Sequence, residues 1–385
     1  MIVAGVMSGT SADGIDVALV DFRDAGGGYP KLKLLAHQAF PYPAALRRAV
    51  LGAMNAQATS TAELARLNWR LGIAYAEAVR ETIQKHPVKV ALIGCHGQTL
   101  YHQANPERYA GRRFACTWQA GEAAVVAGEL GIPVASNFRP ADMVAGGQGA
   151  PLVPLLDVVW FRHAKRGRVL QNIGGIGNLT AIPPGATEER ARAFDTGPGN
   201  MVIDALMQEL YGKAMDAGGK VAATGHVLTP VLEGALRNRF FLKEPPKTAG
   251  REQFGREFAA KFSSDCKAVS SRKQDAIATA TALTVESSAR AYERFASTLM
   301  AGAEVDFVVS GGGARNATLM GLLEERLDQH QCKVGTSDHF GLSAEAKEAV
   351  AFALLAWQTW HRRPGNLRSA TGASRPAVLG QVTYA

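Results

Sequence analysis

Hydrophobic and polar positions alternate along the chain with two different periods, which predict strands and helices in turn. After the stretch GTSADG, the apolar residues Ile15, Val17 and Leu19 occupy every second position and predict a half-buried strand. In residues 61–85 the apolar positions repeat at helical spacing and predict one long helix. Strand and helix patterns follow one another to the C-terminus, and this order is typical of an α/β fold.

Glycine-rich turns interrupt this pattern at four places. The stretches MSGTSADG and NIGGIGN each join two strand patterns and predict β-hairpins. The stretches FDTGPGN and SGGGARN instead lead from a strand into an amphipathic helix. Because the strand–turn–strand arrangement occurs twice in one chain, we expect a duplicated domain with a cleft between the two copies.

The rest of the pattern sets the expected domain boundaries. A buried strand in VKVALIGCHGQT is expected to end in a turn at Gly97, before a helix around 120–129 and a short strand in IPVASNF. The next stretch, RPADMVAGGQGAPLVP, is rich in proline and glycine and is predicted to cross between domains. The expected first lobe is residues 1–140, completed by residues 342–385, and the expected second lobe is residues 141–341.

The composition is typical of a soluble, cytoplasmic protein. A chain of 385 residues is long enough for two domains. The net charge of +8 favours anionic ligands, but Lys and Arg are scattered, so no nucleic-acid-binding surface is expected. The four cysteines lie far apart, which argues against a zinc cluster or a disulfide scaffold. The N-terminus lacks the pattern of a signal peptide, and no apolar run approaches the length of a membrane span.

The glycine-rich turns could bind phosphate through their backbone N–H groups. The chain has no G-x-x-x-x-G-K-[ST] loop, and Gly14 is followed by a strand, not by the helix of a dinucleotide-binding turn. A hairpin turn whose amides and Thr10 and Ser11 hydroxyls surround an anion is the alternative, although a plain turn would explain any one loop. FDTGPGN precedes a helix N-terminus, which favours anions, and SGGGARN lets a flat ligand approach the backbone. Four such loops at strand ends together favour a nucleotide site.

Two aspartates are candidates for chemistry at these loops. Asp195 stands at a strand end, where it could take a proton from an attacking hydroxyl or water; the alternative is that it caps the following helix. Asp16 could face the cleft and hold hydrated Mg²⁺, or it could be a solvent-exposed strand residue. Asp13 is more typical of turn chemistry.

Polar side chains outside the glycine turns are candidates for binding a sugar. Arg139 could hold a carboxylate and Asp142 a hydroxyl, or the two could form an ordinary surface pair. A lone histidine at the end of a buried strand, as in CHGQT, is more often structural than catalytic. The seven candidates are His96, Gln98, Thr99, Glu122, Arg139, Asp142 and Glu348.

Taken together, the motifs resemble those of the anhydro-N-acetylmuramic acid kinase family. They run in the order of that family from the first residues to the last twenty: GVMSGTSADGIDVALVDF, CHGQT, NFRPADMVAGGQGAPLVP, NIGGIGNLT, FDTGPGN, VSGGGARN and ATGASRPAVLGQV. The resemblance implies a two-domain actin/hexokinase-like fold, with duplicated ribonuclease H-like domains around a central nucleotide cleft. It also implies ATP and Mg²⁺ as cofactors and 1,6-anhydro-N-acetylmuramic acid as the substrate.

The resemblance also implies roles for individual residues. It makes Asp195 the general base and lets Asp16 hold Mg²⁺ through water, although Ser8 and Gly9 stand where the wider superfamily usually has an acidic residue. The seven polar candidates are implied to bind the sugar. The residues implied to bind ATP are Gly9, Thr10, Ser11, Ala12, Asp13, Gly14, Ile15, Asp16, Gly174, Gly175, Asn178, Gly197, Gly199, Gly311, Gly312, Gly313 and Asn316.

The implied reaction combines hydrolysis of the anhydro bridge with phosphorylation. The γ-phosphoryl group of ATP moves to O6, which yields N-acetylmuramic acid 6-phosphate and ADP in cell-wall recycling. The alternatives are a kinase for another 1,6-anhydrosugar such as levoglucosan, a non-catalytic sugar or nucleotide sensor, and an actin-like filament protein. The expected partners are small molecules, with a homodimer as a candidate assembly.

Overall fold

The two predicted hairpins fall in two different units of the structure. The structure is a computed structural model that describes residues 1–24, 29–54, 56–187 and 189–385. The first unit is Met1–Trp160 together with Glu345–Ala385, and the second unit is Phe161–Ala344. The pattern in the sequence predicts the boundaries after residues 140 and 341, whereas residues 141–160 belong to the first unit in the structure.

The described residues form strands and helices in alternation. The strands are β1 (Ile2–Ser8), β2 (Gly14–Arg23), β3 (Lys31–Pro41), β4 (Val90–Tyr109), β5 (Arg112–Ala120), β6 (Val134–Ser136), β7 (Gly167–Ile173), β8 (Ile176–Ile182), β9 (Arg192–Pro198), β10 (Val305–Ser310), β11 (Cys332–Thr336) and β12 (Gln381–Thr383). The helices are α1 (Ala44–Ala53), α2 (Thr61–Lys85), α3 (Ala123–Leu130), α4 (Arg139–Val144), α5 (Pro154–Phe161), α6 (Met201–Tyr211), α7 (Thr229–Leu236), α8 (Arg239–Leu242), α9 (Arg251–Phe254), α10 (Arg256–Val269), α11 (Lys273–Phe295), α12 (Ala317–Asp328), α13 (Lys347–Trp360) and α14 (Arg368–Thr371).

The sheets of the two units share one topology. In the first unit the strand order β3-β2-β1-β4-β6 has two antiparallel pairs followed by two parallel pairs. In the second unit the order β9-β8-β7-β10-β11 repeats the same pairings and directions. The first unit adds β5 beside β4 and β12 beside β6. The repeated order confirms the predicted α/β fold with duplicated ribonuclease H-like domains.

The predicted long helix is present as α2, which covers residues 61–85. Its start is encoded locally, because the Ser60 hydroxyl accepts a hydrogen bond from the Glu63 N–H at 3.1 Å, as the S-x-x-E pattern predicts. Leu67 and Leu71 lie on the buried face of this helix, in the core of the first unit. The helical spacing in the sequence therefore identifies both the element and the face that packs.

Helix α13 lies closer to its sheet than side chains normally allow. A Cβ added at Gly5 of β1 would lie 1.9 Å from the Ala349 carbonyl oxygen. A Cβ added at Gly94 of β4 would lie 2.2 Å from the Phe352 carbonyl oxygen. These two glycines let the helix backbone rest on the strands, and this packing fixes the first turn of α13, which carries Glu348.

Two expectations about the first unit are wrong. Strand β4 does not end at Gly97 but continues to Tyr109, because its second half pairs with β5 in an antiparallel ribbon. Gly97 has φ +80° and lies inside the strand, at a shift in the register between β4 and β1. Residues 139–160 form α4 and α5 and do not cross between units. Asp142 of α4 instead joins this segment to the C-terminal residues of the same unit.

Helix α11 connects two hydrophobic cores in the second unit. Val285 and Ala289 pack with the sheet, whereas Ile277 and Leu283 pack with α6, α7 and α10. The helix therefore supports β8 and β9 from one side and the helical layer from the other. Among the described residues, none of the helices combines the length and the apolar composition needed to cross a bilayer.

Candidate functional site

The turn between β1 and β2 in the first unit presents backbone donors. In residues 9–13 the Ala12 N–H donates to the Gly9 carbonyl at 3.1 Å. Ala12 has φ +54°, a left-handed conformation that costs alanine about 1–2 kcal/mol. Thr10 and Ser11 are exposed, and no protein acceptor faces their N–H groups among the residues that the structure describes. The turn can therefore surround an anion with N–H groups, as a backbone nest does.

Buried polar side chains hold this turn from the interior. Gln98 is fully buried; its Nε2 donates to the Gly9 carbonyl at 3.0 Å, and its Oε1 accepts from the Tyr42 hydroxyl at 3.3 Å. The Ser8 hydroxyl lies 2.8 Å from the Tyr75 hydroxyl in the same buried network. Gln98 is predicted to bind a sugar, but both ends of its amide are engaged inside the protein, and its structural role is to shape the turn.

The remaining residues of the turn differ in exposure. Asp13 is exposed and pairs with Arg47 at 3.2 Å on the surface. Gly14 opens β2 where a Cβ would lie 2.2 Å from the Phe40 carbonyl oxygen. Ile15 points its side chain into the core. Of these predicted ATP-binding residues, Gly14 and Ile15 could therefore reach a ligand only through their backbone.

Two carboxylates, those of Asp16 and Glu348, interact in the first unit. Asp16 Oδ1 lies 2.9 Å from His37 Nε2, so that the imidazole N–H donates to the carboxylate, and 38% of the Asp16 side chain stays exposed. Partial loss of hydration raises the pKa of the Glu348 carboxyl, although the side chain keeps exposed surface; Arg139 opposes this rise and the negative charge of Asp16 adds to it. Within the described ranges, no three His, Cys, Asp or Glu side chains group to form a metal site. A cation here would need further ligands from phosphate and water.

Arg139 and the buried His96 form a partly buried cation–imidazole pair. Arg139 Nε donates to His96 Nε2 at 2.9 Å, and Nη1 donates to the Gly149 carbonyl at 2.8 Å. Burial lowers the pKa of Arg139 to about 10, with Glu348 and Asp142 opposing the fall, so the guanidinium stays charged at neutral pH. Burial and the charge of Arg139 hold the pKa of His96 well below its usual range. His96 is therefore a neutral acceptor that orients the guanidinium.

Asp142, which is predicted to bind a sugar hydroxyl, is occupied by the protein itself. The side chain is fully buried. Its oxygens accept hydrogen bonds at 2.8–3.0 Å from the Gly149 N–H, the Asn366 amide and the Thr371 hydroxyl. The carboxylate therefore ties the 146–149 loop to the C-terminal segment of the first unit, and the predicted surface pair with Arg139 is absent from the hydrogen bonds of the described residues.

Glu122 and Thr99, also predicted to bind a sugar, make hydrogen bonds with other groups of the protein, as Asp142 does. Glu122 is the N-cap of α3: Oε1 accepts from the Ala124 N–H at 3.1 Å, and Oε2 accepts from the Asn68 amide at 3.0 Å. Thr99 is partly exposed, and its hydroxyl accepts from the Gln119 amide at 3.3 Å. Both oxygens of Glu122 thus accept hydrogen bonds from the protein, whereas Thr99 keeps some accessible surface.

Three glycine turns of the second unit lie against one another. They are the turn 174–175 between β7 and β8, the turn 199–200 between β9 and α6, and the turn 311–313 after β10. A Cβ at Gly199 would lie 2.2 Å from the Gly174 carbonyl oxygen. A Cβ at Gly311 would lie 2.8 Å from the Ile173 carbonyl oxygen, and one at Gly313 would lie 2.4 Å from the side chain of that isoleucine. The topology thus places the predicted turns of β7, β9 and β10 side by side.

The start of α6 is capped by the hairpin turn. The N–H groups of residues 199–201 donate to the carbonyl oxygens of Gly174 and Gly175 at 2.7–3.2 Å. The Asn200 side chain also donates to the Ile173 carbonyl at 3.2 Å. This helix start is predicted to attract an anion, but the protein already satisfies two of its donors, the N–H groups of Asn200 and Met201. An anion would therefore find fewer free N–H groups here than the sequence indicates.

Asp195 lies in β9, opposite Asn178 of β8. It does not cap α6, since its Oδ2 instead accepts a hydrogen bond from the Ala249 N–H at 2.7 Å. Burial raises the pKa of Asp195 to about 6, while the Ala249 bond and the positive charge of Lys247 limit the rise. A half-buried carboxylate of this kind is charged at neutral pH and basic enough to accept a proton in a reaction.

Gly197 and Asn316, which lie near these turns, are closely surrounded by other groups of the protein. Gly197 has φ +146°, and a Cβ there would lie 2.6 Å from the Phe241 ring. Asn316 is the buried N-cap of α12, where its Oδ1 accepts from the Leu319 N–H at 3.0 Å. Gly219 fits against it, because a Cβ there would lie 2.0 Å from Asn316 Oδ1. The Asn316 carboxamide oxygen is therefore used by the protein, whereas its predicted role is ATP binding.

Sequence reasoning missed the residues that support these groups from distant parts of the chain. His37 contacts Asp16 from β3, and Tyr42 contacts Gln98 from the segment after β3. Lys247 lies beside Asp195 in a segment that follows α8. The proline-rich stretch EPPKTAG marks that segment as a turn, but nothing local connects it to β9.

Comparison with known proteins places the chain among relatives of its own length. It matches the model of the family described as "Anhydro-N-acetylmuramic acid kinase" over residues 1–385. A protein of that name from Bacillus cereus (strain ATCC 10987 / NRS 248) is 41% identical over 388 residues, which cover 100% of this chain and 99% of that protein. Another of that name from Bacillus thuringiensis subsp. konkukian (strain 97-27) is 40% identical over 388 residues, with the same shares covered.

Solved structures show only distant likeness. An activator of the 2-hydroxyisocaproyl-CoA dehydratase from Clostridium difficile with bound ADPNP has a TM-score of 0.43 at 11% identity, over 94% of this chain and 96% of that chain. A ROK family glucokinase from Streptomyces griseus in complex with glucose and AMPPNP has a TM-score of 0.37 at 13% identity, over 93% of this chain and 100% of that chain.

Proposed function

The chain belongs to the anhydro-N-acetylmuramic acid kinase family, and from this membership and the setting of Asp195 we propose that it phosphorylates 1,6-anhydro-N-acetylmuramic acid with ATP. The full-length match confirms the predicted family and the predicted class of enzyme. A kinase family supports ATP as the nucleotide, while Mg²⁺ and a place in cytoplasmic cell-wall recycling are part of the proposal. The match does not favour a levoglucosan kinase or a non-catalytic sensor.

Asp195 is the general base of the proposed reaction. It takes a proton from a water molecule whose oxygen attacks C1 of the sugar. The C1–O6 bond breaks, O6 bonds to the γ-phosphorus, and the bond from that phosphorus to the β-phosphate oxygen breaks. The products are N-acetylmuramic acid 6-phosphate and ADP, and the proton on Asp195 then passes to solvent. The observation that best supports this role is that Asp195 is a half-buried carboxylate with a pKa of about 6. Its side chain is held in place by the hydrogen bond from the Ala249 N–H.

The turn 9–13 is the proposed phosphate-binding element of the first unit. Its exposed N–H groups and the Thr10 and Ser11 hydroxyls are donors suited to phosphate oxygens. Asp16 and Glu348 would hold Mg²⁺ through water, because two interacting carboxylates attract a cation that takes its other ligands from phosphate. The bound ion would neutralise charge on the phosphates, and the protein donors would orient them.

Arg139 is the proposed site for the carboxylate of the substrate's lactyl group. Its Nε and Nη1 are engaged by His96 and Gly149, so its orientation is set before any ligand binds. Nη2 is the guanidinium nitrogen that neither bond uses. Levoglucosan has no carboxylate, so Arg139→Ala should reduce kcat/KM for the muramic substrate much more than for levoglucosan. Equal losses on both sugars would contradict this assignment.

The reaction is tested by isotope incorporation together with a matched pair of variants. In ¹⁸O-water the heavy oxygen should appear at C1 of the product and not in the phosphate. Asp195→Asn should retain ATP binding while turnover falls by about 10²–10⁴-fold. Asp204→Asn is the matched control, because Asp204 lies in α6 of the same unit and burial also raises its pKa to about 6. Label in the phosphate, or near-normal turnover in Asp195→Asn, would overturn the proposal.

A further inference from the structure

The segment 247–249 holds both the backbone and the side chain of Asp195. The Asp195 N–H donates to the Lys247 carbonyl at 3.1 Å, and the Ala249 N–H donates to Asp195 Oδ2 at 2.7 Å. These two bonds come from either side of Thr248, whose own side chain is exposed. A displacement of this short segment would therefore move the carboxylate.

The side chain of Lys247 anchors the segment in the protein interior. The residue is 3% exposed, and its Nζ donates to the Phe240 carbonyl at 3.3 Å. The same nitrogen lies 4.5 Å from the ring centroid of Phe295, 4.8 Å from that of Phe240 and 5.8 Å from that of Phe194. A cation this close to phenyl rings is attracted by their π-electrons. The ammonium thus joins α8, the end of α11 and β9, on which Phe194 precedes Asp195.

The ammonium is buried without a close counter-ion in the described part of the chain. No carboxylate lies within ion-pair distance of Nζ there, although Glu244 and Asp195 attract it and Arg294 and Lys243 repel it from farther away. Burial lowers the pKa of Lys247 to about 8, with the nearby arginine as the next cause. Burying a charge in this way is costly for folding, so a leucine or methionine would pack here at a lower cost.

We propose that Lys247 is a positioning residue for Asp195: its caged ammonium holds the segment 247–249 against β9 and keeps a positive charge beside the base. This role rests on the proposed function of Asp195 as general base. It explains why a charged residue occupies an aromatic cage in which an apolar side chain would fit. Lys247 contacts no reacting atom in this proposal, and it acts only through the carboxylate.

The electrostatic consequence has a definite sign. A positive charge stabilises the carboxylate form of Asp195, so its removal raises the pKa of Asp195 above about 6. Lys247→Met keeps the length and the apolar stem of the side chain but removes the charge. We expect the acid limb of kcat/KM to move upward by about half a pH unit to one pH unit. Lys247→Arg keeps the charge, so the acid limb of kcat/KM should stay at its wild-type position. Thr248→Ala should also leave it unchanged, because that side chain is exposed.

A carboxyl titration tests the proposal independently of the reaction. The full chain is labelled with ¹³C in its aspartates, and the Asp195 signal is assigned by its loss in Asp195→Asn. Lys247→Met should shift the titration of this signal upward, whereas Lys247→Arg should not. An unchanged Asp195 titration in Lys247→Met would overturn the inference even if the enzyme phosphorylates the sugar. If instead the wild-type chain shows no sugar-dependent use of ATP, the proposed function fails and the titration still decides the role of Lys247.

Two further measurements cover the case in which Lys247→Met does not fold. Ala249→Pro removes the N–H that donates to Asp195 Oδ2, and it should raise the pKa of Asp195, whereas Ala249→Gly keeps the donor and should not. In the wild-type chain with ¹³C-labelled lysines, the Lys247 signal should respond at the pH where Asp195 titrates. The proposal would be overturned if the Lys247 signal did not change at the pH where Asp195 titrates. It would also be overturned if Ala249→Pro left the pKa of Asp195 unchanged.

Discussion

The hairpin turns of the two units occupy equivalent positions in one topology, yet they use their backbone groups in opposite ways. In the first unit the turn 9–13 faces its donors outward, and Gln98 holds the Gly9 carbonyl from inside. In the second unit the carbonyls of the turn 174–175 accept the N–H groups of residues 199–201. The first turn can therefore bind an anion through its donors, whereas the carbonyl groups of the second turn are used to cap a helix.

Glycine has a different effect in each of the two turns. A Cβ at Gly9 would meet nothing closer than the Ser11 hydroxyl at 3.7 Å. A Cβ at Gly199 would lie 2.2 Å from the Gly174 carbonyl oxygen. In the first turn the space left by glycine is open to a ligand, and in the second it is filled by the protein. A repeated topology therefore carries different chemistry in its two copies.

The largest effect is expected from Gly199→Ala, which tests the packed turn. The new Cβ would force the Gly174 carbonyl away and break the bonds that cap α6. We expect the free energy of unfolding to fall by about 3 kcal/mol or more, or folding to fail. Urea unfolding followed by far-UV circular dichroism measures this change. Gly321→Ala, at an open position inside α12 of the same unit, should cost much less, and equal losses would contradict the packing argument.

Gln98→Leu tests the buried support of the open turn. The leucine fits the volume but leaves the Gly9 carbonyl without its side-chain donor, whereas the Tyr42 hydroxyl keeps its contact with the Tyr75 hydroxyl at 3.4 Å. We expect a loss of about 2 kcal/mol in the free energy of unfolding, because a buried polar group without a hydrogen bond is costly. KM for ATP should rise more than kcat falls, since the turn loses its shape and the proposed base, Asp195 of the second unit, is untouched. A fall in kcat alone would contradict this view.

The sequence predicts the elements of both units because their signals are local. The alternation after GTSADG, the helical spacing of residues 61–85 and the glycine turns all correspond to observed strands, helix and turns. Family resemblance adds the expected substrate and the expected base, which cannot be predicted from periodicity. The order of the strands then brings the turns of β7, β9 and β10 together, although they are distant in the chain.

The direction of individual polar groups could not be predicted in this way. Gln98 points inward because Gly97 changes the register of β4, and this shift depends on pairing with β1. The α6 start loses two of its donors because two carbonyls of a separate hairpin accept their hydrogen bonds. Lys247 reaches Asp195 only through tertiary packing of α8, α11 and β9. Such contacts depend on residues far apart in the sequence, so local patterns do not reveal them.

Asp195→Asn should make the second unit more stable even as it removes activity. The folded-state pKa of Asp195 is about 6, above its usual value of 3.8, so ionisation favours the unfolded chain. The stability that this group contributes is full below about pH 4 and is lost as the pH rises through about 6. We expect asparagine to raise the free energy of unfolding by about 1–2 kcal/mol at pH 7.5 and to give no gain at pH 4.

Urea unfolding at the two pH values measures this difference. Asparagine can still accept the Ala249 N–H through its carboxamide oxygen, so the hydrogen bond is kept. Asp13→Asn is the counterpart in the first unit, where the carboxylate is exposed and pairs with Arg47 on the surface. That variant should change stability by less than about 0.5 kcal/mol at either pH. A gain of equal size at pH 4 and pH 7.5 would show that burial of charge is not the cause.

The smallest effect on stability is expected from Gly9→Ala, the counterpart of Gly199→Ala in the open turn. Apart from the adjacent residues, the nearest protein atom to the new Cβ would be the Ser11 hydroxyl oxygen at 3.7 Å, so the free energy of unfolding should change by less than about 0.5 kcal/mol. The methyl group would instead occupy space at the donors of the turn, and KM for ATP should rise while the acid limb set by Asp195 stays in place. Steady-state kinetics across pH, together with urea unfolding, separates these effects. A loss of stability in Gly9→Ala as large as that expected for Gly199→Ala would mean that protein fills the space around both turns. The turn 9–13 would then not be the phosphate-binding element.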